Sequence, residues 1–243
     1  IFEIRKIKAS DIECYLTLYK TKNNWEKEGI HIGNLHVMAQ TLEGHGVKFT
    51  DGRLHATLDR MQWKERCGLD ISEMSGRCVA GMGQTLVENF HIKDRTSEVN
   101  ISRFTMDYRS STAFREFMTE VTMNLDLGRS TMSAETFSIL AGHHQDSGIS
   151  VDIESCKAHG QVCDLTVDQL RFTETSSGIP VSMKASAKGL PRIGKMVAKA
   201  DVEDIKFTTG QLSSLLGRLM GGKAPDLGNI APDQQFIVSC GAS

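Results

Sequence analysis

Residues 121–127 read V-T-M-N-L-D-L, and this stretch decides the fold class. Its residues alternate strictly between apolar and polar side chains. A period of two is typical of a β-strand with one apolar face and one face in water. The same alternation recurs in residues 12–19, 53–59, 103–108 and 181–187.

Short polar segments with turn residues separate these alternating runs. Loops of this length predict that sequential strands pair with their neighbours in a long antiparallel meander. The low proline content, 4 residues in 243, agrees with many paired strands because proline cannot donate to a strand ladder. The predicted turns are residues 43–46, 50–52, 93–97, 146–148 and 175–178.

One clear helix interrupts the strand pattern. Leucines at positions 212, 215, 216 and 219 predict an amphipathic helix over residues 211–220. Thr208 and Gln211 have the spacing of a capping box at its start. A shorter helical turn is predicted at residues 134–140. The fold class is therefore all-β, a meander with one or two short helices, and no linker divides residues 1–243.

Composition excludes several classes of function. The net charge of −2 argues against nucleic-acid binding, which usually needs a basic excess. No run approaches the roughly 20 apolar residues of a membrane-spanning helix. The 6 cysteines contain no C-x-x-C pair, which argues against a zinc site. Scattered reduced thiols and a disulfide such as Cys67–Cys78 are both compatible with the spacing.

No catalytic motif stands out. His143, His144 and Asp146 are the candidates for a metal cluster, but adjacent residues of a strand point to opposite faces, and a solvated loop is favoured. The glycines at 81 and 83 indicate a turn and not a nucleotide-binding loop. The sequence thus predicts a protein that is not an enzyme and has no cofactor or metal. A hydrolase or metal enzyme using His143, His144 and Asp146 is the least favoured alternative.

The apolar strand faces need a partner, and there is little helix to cover them. They can pack together in a closed β-sandwich, acting as an interaction module, or line an open trough for an apolar ligand. The 11 methionines favour an apolar surface that adapts to partners of irregular shape, because methionine side chains are flexible and polarizable. Of the two tryptophans, Trp25 and Trp63, core packing is the favoured role. The candidate trough residues lie on the cleanest alternating runs: Leu54, Leu58, Phe104, Met106, Val121, Met123, Leu125, Val181 and Met183.

Three stretches in order carry a family resemblance. They are F-T-D-G-R-L-H-A-T-L at 49–58, K-E-R-C-G-L-D-I-S-E-M-S-G-R at 64–77 and F-H-I-K-D-R-T-S-E-V at 90–99. This succession of strands and turns resembles the AsmA/TamB superfamily of Gram-negative envelope proteins. Cys67 stands where the family usually has Ser, and Met74 where it has Leu. The resemblance continues more loosely to about residue 227, starting near residue 47.

The resemblance implies a β-taco, an open trough that conducts phospholipid or another acyl-chain lipid between the inner and outer membranes. It also implies a periplasmic location, an N-terminal inner-membrane anchor outside residues 1–243, and a longer parent chain of which these residues are one segment. The apolar run at 236–238 begins a strand and agrees with such a continuation. A second implied role is that of a chaperone in outer-membrane protein assembly. The family offers no catalytic residues.

Overall fold

The computed structural model of the chain describes residues 2–17, 29–30, 34–142, 148–190, 196–219, 231 and 233–242. Within these residues, 13 strands form one antiparallel sheet. The strands are β1 (Phe2–Thr17), β2 (Asn34–Thr50), β3 (Arg53–Glu65), β4 (Asp70–Gly81), β5 (Gln84–Lys93), β6 (Glu98–Asp107), β7 (Thr122–Leu127), β8 (Ser130–Ser133), β9 (Ser150–Gln161), β10 (Asp164–Glu174), β11 (Ile179–Lys188), β12 (Val197–Thr208) and β13 (Gln235–Ala242). The helices are a 3-10 helix (Ser111–Glu116), α1 (Phe117–Glu120), α2 (Ala134–Ala141) and α3 (Thr209–Leu219).

The sheet follows the chain. Its order is β1 to β7 and then β9 to β13, and the short β8 pairs with both β6 and β9. Every pairing is antiparallel. β1 and β13 form the two edges and do not pair with each other, so the described sheet is open. The predicted all-β meander is confirmed.

The predicted turn at residues 43–46 is wrong, because these residues lie inside β2. The glycines there sit at irregularities in the pairing with β3. A Cβ atom on Gly44 would lie 2.8 Å from the backbone oxygen of Thr57, and Gly46 has φ of 61°. These glycines therefore form β-bulges within the strand and do not reverse the chain direction. The predicted turns at 50–52, 93–97 and 175–178 are confirmed; of residues 146–148, only Gly148 is described.

Both predicted helices are present as α2 and α3. The capping box at the start of α3 is formed, since the Thr208 backbone N–H donates to Gln211 Oε1 at 2.8 Å. In return, the Gln211 N–H donates to Thr208 Oγ1 at 3.2 Å. The 3-10 helix and α1 were not predicted; they connect β6 to β7.

The packed core lies at one end of the sheet. Cys67, Leu69 and Ile71 are buried there, around the β3–β4 turn. Side chains from β3, β4, β5 and α2, and one from the segment between β1 and β2, pack against them; they are Trp63, Met74, Ile92, Ile139, Leu140 and Ile30. The predicted core role of Trp63 is confirmed, whereas Trp25 lies outside the described residues. Cys67 and Cys78 are both free thiols, so a disulfide between them is not formed.

Three turns at that same end are built by an acidic side chain at the end of a strand. Glu65 accepts the backbone N–H of Cys67 at 2.6 Å, and Asp94 accepts that of Thr96 at 2.7 Å. Glu174 accepts the backbone N–H of Ser177 at 2.6 Å. Each carboxylate satisfies turn donors that the strand ladders cannot reach, which fixes the length of the turn.

Glu174 provides a test of these turns. Burial alone would raise the pKa of Glu174, but hydrogen bonds from Ser177 and Ser176 outweigh it and lower the pKa to about 2. A lowered pKa in the folded state means that the contribution to stability is complete above pH 4.5 and is lost as the pH falls toward 2. We expect Glu174→Gln to lower the free energy of unfolding by about 1–2 kcal/mol at pH 7.

Urea denaturation at pH 7 and at pH 3 measures this effect. The difference between the native protein and Glu174→Gln should shrink at pH 3, where the carboxylate loses part of its advantage. A difference that is equal at both pH values would contradict the role of the charged carboxylate.

Candidate functional site: an apolar face across the sheet

The strand register lines up apolar side chains from neighbouring strands into rows. In the first row each residue is the Cα partner of the next, from β1 to β12 without a break. Its members are Phe2, Phe49, Leu54, Ala80, Thr85, Met106, Met123, Gly160, Leu165, Ala187 and Ala198. Thr85 is the one hydroxyl in this row.

The second row runs parallel to the first, two residues further along each strand. It is continuous from β3 to β12 and entirely apolar. Its members are Ala56, Cys78, Val87, Phe104, Leu125, Ala158, Val167, Ala185 and Ala200.

A third row continues the pattern from β5 to β12. Its members are Phe90, Ile101, Leu127, Cys156, Leu170, Met183 and Val202. On its β3 side, the third row continues through Gly76 of β4 to Leu58 of β3. Gly76 lies against the Phe90 ring, since a Cβ atom on Gly76 would be 2.9 Å from Phe90 Cδ2.

A fourth row lies beyond the third, on strands β1 to β6. Its members are Ala9, Leu42, Met61, Met74, Ile92 and Val99. We call these four rows together the apolar face.

The residues in the middle of the apolar face are only partly buried. Met106, Met123, Phe104 and Leu125 are all half-buried, although they are surrounded by sheet neighbours on both sides. In a β-sandwich the second sheet would remove such side chains from water. The closed-sandwich alternative therefore does not describe the part of the chain that the structure covers.

Most of the opposite face of the sheet is polar and charged, although the paired residues Val79 and Leu86 also lie on it. One row there alternates in sign from β4 to β9: Arg77, Glu88, Arg103, Asp126 and Lys157. Glu88 lies 3.8 Å from Arg77 and 3.7 Å from Arg103, measured between nitrogen and oxygen. Opposite charges across strands stabilise the pairing modestly and keep this face in water.

A cleft of about 520 Å³ opens near the ends of β6, β8 and β9. Charged and hydroxyl side chains dominate its lining, including Glu98, Arg129, Thr131 and Asp152. Such a lining suits a small polar molecule and is distinct in character from the apolar face.

The structure brings eight of the nine predicted trough residues onto one face. Leu54, Met106 and Met123 belong to the first row, Phe104 and Leu125 to the second, and Met183 to the third. Leu58 extends the third row toward β3. Val181 lies two residues before Met183 and opposite Phe172, so it shares the same face.

Val121 is different. It lies between α1 and β7 and is fully buried, as is Ala113 of the 3-10 helix. The rings of Tyr108, Phe114 and Phe117 stack or meet edge to face nearby in sequence. Val121 thus anchors the β6–β7 connection and presents no surface to a ligand.

Two thiols on the apolar face were not predicted from the sequence. Cys78 lies in the second row and Cys156 in the third, and both are half-buried. Burial raises the pKa of each thiol. Cys67, in the packed core, has its pKa raised to about 11, first by burial and then by a hydrogen bond with Glu65. The sequence signal that could have predicted Cys78 and Cys156 on the apolar face is the alternation of small apolar residues around each of them.

No group of three or more His, Cys, Asp or Glu side chains able to hold a metal occurs among the described residues. His143, His144 and Asp146, the predicted alternative, lie outside them. In the same part of the chain, no helix has the length and apolarity to cross a bilayer. Comparison with protein-family models, with curated proteins and with solved structures gives no significant match to this chain.

Proposed function

We propose that this chain binds acyl-chain lipid, phospholipid above all, on its apolar face and lets it move along the rows. The protein acts without covalent chemistry, and acyl chains lie against the rows while head groups stay in water. The single observation that carries the proposal is the continuity of the rows, which cross up to eleven strands without a charged side chain.

The size of the apolar face supports a lipid ligand. Ten strand spacings of roughly 4.8 Å give the first row a length of about 48 Å, and four rows at two-residue intervals are about 20 Å wide. Exposed apolar patches beyond a few hundred Å² mark sites for apolar partners. Each lipid methylene that leaves water on such a surface contributes about 0.8 kcal/mol. The half-buried methionines of the first row suit chains of varied shape.

The cellular part of the proposal rests on the resemblance of residues 49–99 to the AsmA/TamB superfamily. It comprises a periplasmic location, an inner-membrane anchor and transport between the two membranes. The open meander and its apolar face agree with the β-taco that this resemblance implies.

A second candidate is a chaperone for outer-membrane strands. The observation that favours it is the open edge at β1, whose 16 residues pair on one side only within the described sheet. An extended client segment can add to such an edge through backbone hydrogen bonds.

Native thiols provide the test of lipid binding. Protein purified without detergent should carry phospholipid detectable by mass spectrometry. After the lipid is removed, a maleimide should label Cys78 and Cys156, and adding back phospholipid should slow this labelling at both positions. Peptide mass spectrometry assigns the label to each cysteine.

Ser155→Cys is the matched control, because residue 155 neighbours Cys156 and pairs with Arg171 on the polar face. Its labelling should not respond to lipid. Protein that carries no phospholipid, with thiols whose labelling is the same with and without added phospholipid, would reject lipid binding.

A further inference from the structure

The free edge of β1 is long and uncovered in the described sheet. Its 16 residues pair with β2 on one side, and no other described strand lies on the opposite side. Such an edge presents a row of backbone donors and acceptors to any strand that can pair with it. We infer that this edge pairs antiparallel with β1 of a second copy of the chain, around a two-fold axis at Lys8. This inference goes beyond lipid binding and does not depend on it.

The apolar residues of β1 form a pattern that is the same when the strand is read from either direction. They come in three pairs that are symmetric about Lys8 in sequence, and each lies opposite an apolar residue or a glycine of β2. They are Phe2 and Ile4, Ile7 and Ala9, and Ile12 and Cys14. An antiparallel copy therefore places apolar residues opposite apolar ones, which is the self-complementarity that a two-fold interface requires.

The same arrangement joins the apolar faces of the two copies. Residues that lie directly opposite each other in an antiparallel pair point to the same side of the sheet. A two-fold axis perpendicular to the sheet therefore keeps both apolar faces on one side. The rows of one copy then continue into the rows of the second copy across the β1 edge.

Two exposed charges of β1 are complementary in this arrangement. Arg5 and Asp11 are the two positions of β1 without a Cα partner in β2, and they too are symmetric about Lys8. The guanidinium of one copy is therefore placed opposite the carboxylate of the other, twice in each dimer. Lys8 lies on the axis, but in each copy its ammonium group is already 2.9 Å from a Glu43 carboxylate oxygen. A parallel arrangement would instead place Arg5 opposite Arg5 and Asp11 opposite Asp11, which disfavours it.

One further contact in this register joins like charges. Glu3 of one copy lies opposite Glu13 of the other. The Glu13 carboxylate already accepts a hydrogen bond from the Tyr15 hydroxyl at 2.6 Å and lies 2.8 Å from His36 Nε2. These neighbours stabilise the charge of Glu13 and lower the pKa of its carboxyl group, so the contact with Glu3 is tolerated.

The other free edge of the sheet does not match β1. β13 has 8 residues, Gln235–Ala242, and its sequence contains no charged side chain. Half of β1 would stay unpaired against it, and neither Arg5 nor Asp11 would meet an opposite charge. A second β1 matches in both length and charge, so a closed dimer is favoured over an open chain of copies. A client strand that adds to β1 then has to displace the second copy.

The mass of the protein in solution tests the dimer. Size-exclusion chromatography with light scattering should give the native protein twice the 26.8 kDa of one chain. Arg5→Glu and Asp11→Lys should each weaken dimerisation at least tenfold, because each places like charges opposite each other twice across the axis. An equimolar mixture of the two variants should restore the dimer, because each facing pair then carries opposite charges.

Lys199→Glu is the matched control, since it reverses one exposed cation on β12, at the other side of the sheet. It should leave the dimer intact. A monomeric native protein would overturn the proposal, as would assemblies larger than a dimer or a dimer that the Arg5 and Asp11 variants leave unchanged. A mixture that stays monomeric, although circular dichroism shows that both variants are folded, would overturn it too.

A second pair of variants covers the case in which a charge reversal unfolds the chain. Asp11 has φ of 55°, which asparagine adopts more readily than lysine. If circular dichroism shows lost strands in either variant, Arg5→Gln and Asp11→Asn take their place. Each should weaken dimerisation by a smaller factor, and no weakening in either would overturn the proposal.

Discussion

Replacing Leu125 by glutamate is expected to weaken lipid binding at least tenfold. Leu125 lies in the middle of the second row, between Phe104 and Ala158, so a carboxylate there meets the acyl chain at the centre of the apolar face. Removing a charge from water without a partner costs several kcal/mol, and about 1.4 kcal/mol already corresponds to tenfold. Titration with a fluorescent fatty acid measures the dissociation constant.

Asn124→Glu is the matched control. It introduces the same charge one residue away on the same strand, but residue 124 belongs to the polar face and is exposed. This variant should bind the fatty acid as the native protein does. Equal weakening in both variants would show that general charge, and not the apolar face, decides binding.

Gly160→Ala is expected to lower the free energy of unfolding by about 3 kcal/mol, through backbone strain and overpacking together. Gly160 lies in the first row, next to the β9–β10 hairpin, and has φ of 119°. A Cβ atom there would collide with the backbone oxygen of Asp164, which the hairpin holds in place. Neither the dihedral angle nor the contact can relax without opening the hairpin. Urea denaturation measures the change.

Gly46→Ala separates the two causes. Gly46 has φ of 61°, but a Cβ atom there meets nothing within 4 Å. Its cost is therefore limited to the left-handed backbone, about 1 kcal/mol. If Gly160→Ala costs no more than Gly46→Ala, the close approach of Asp164 is not limiting at the hairpin.

The strands were predictable because each depends on a local signal. Alternation in residues 53–59 and 181–187 requires a pleated strand whatever lies beside it, and α3 follows from its leucine spacing and the Thr208–Gln211 box. The sequence also predicted that Leu54, Phe104 and Met183 share one face of the sheet, because an alternation with period two assigns each residue of a strand to a face.

Features that depend on several segments were not predictable. The glycines of residues 43–46 look like a turn in sequence, and only the partner strand β3 makes them bulges. Val121 alternates in phase with Met123, but the 3-10 helix and α1 bury it. The docking of α2 needs Asp94 and Ser97, which are 42 and 39 residues from Thr136. The acid-built turns do have a signal, an acidic residue two positions before Cys, Thr or Ser, which is short and easily overlooked.

The meander also has a consequence for how the chain folds. Almost every strand pairs with the next one in sequence, so the loops that must close are short and the contact order is low for a β protein. Pairing is expected to spread from hairpin to hairpin, as in repeat proteins. Two longer closures join β7 to β9 across β8 and α2 and β12 to β13 across α3. The first lies in the middle of the sheet, which makes it the natural boundary between two cooperative folding units.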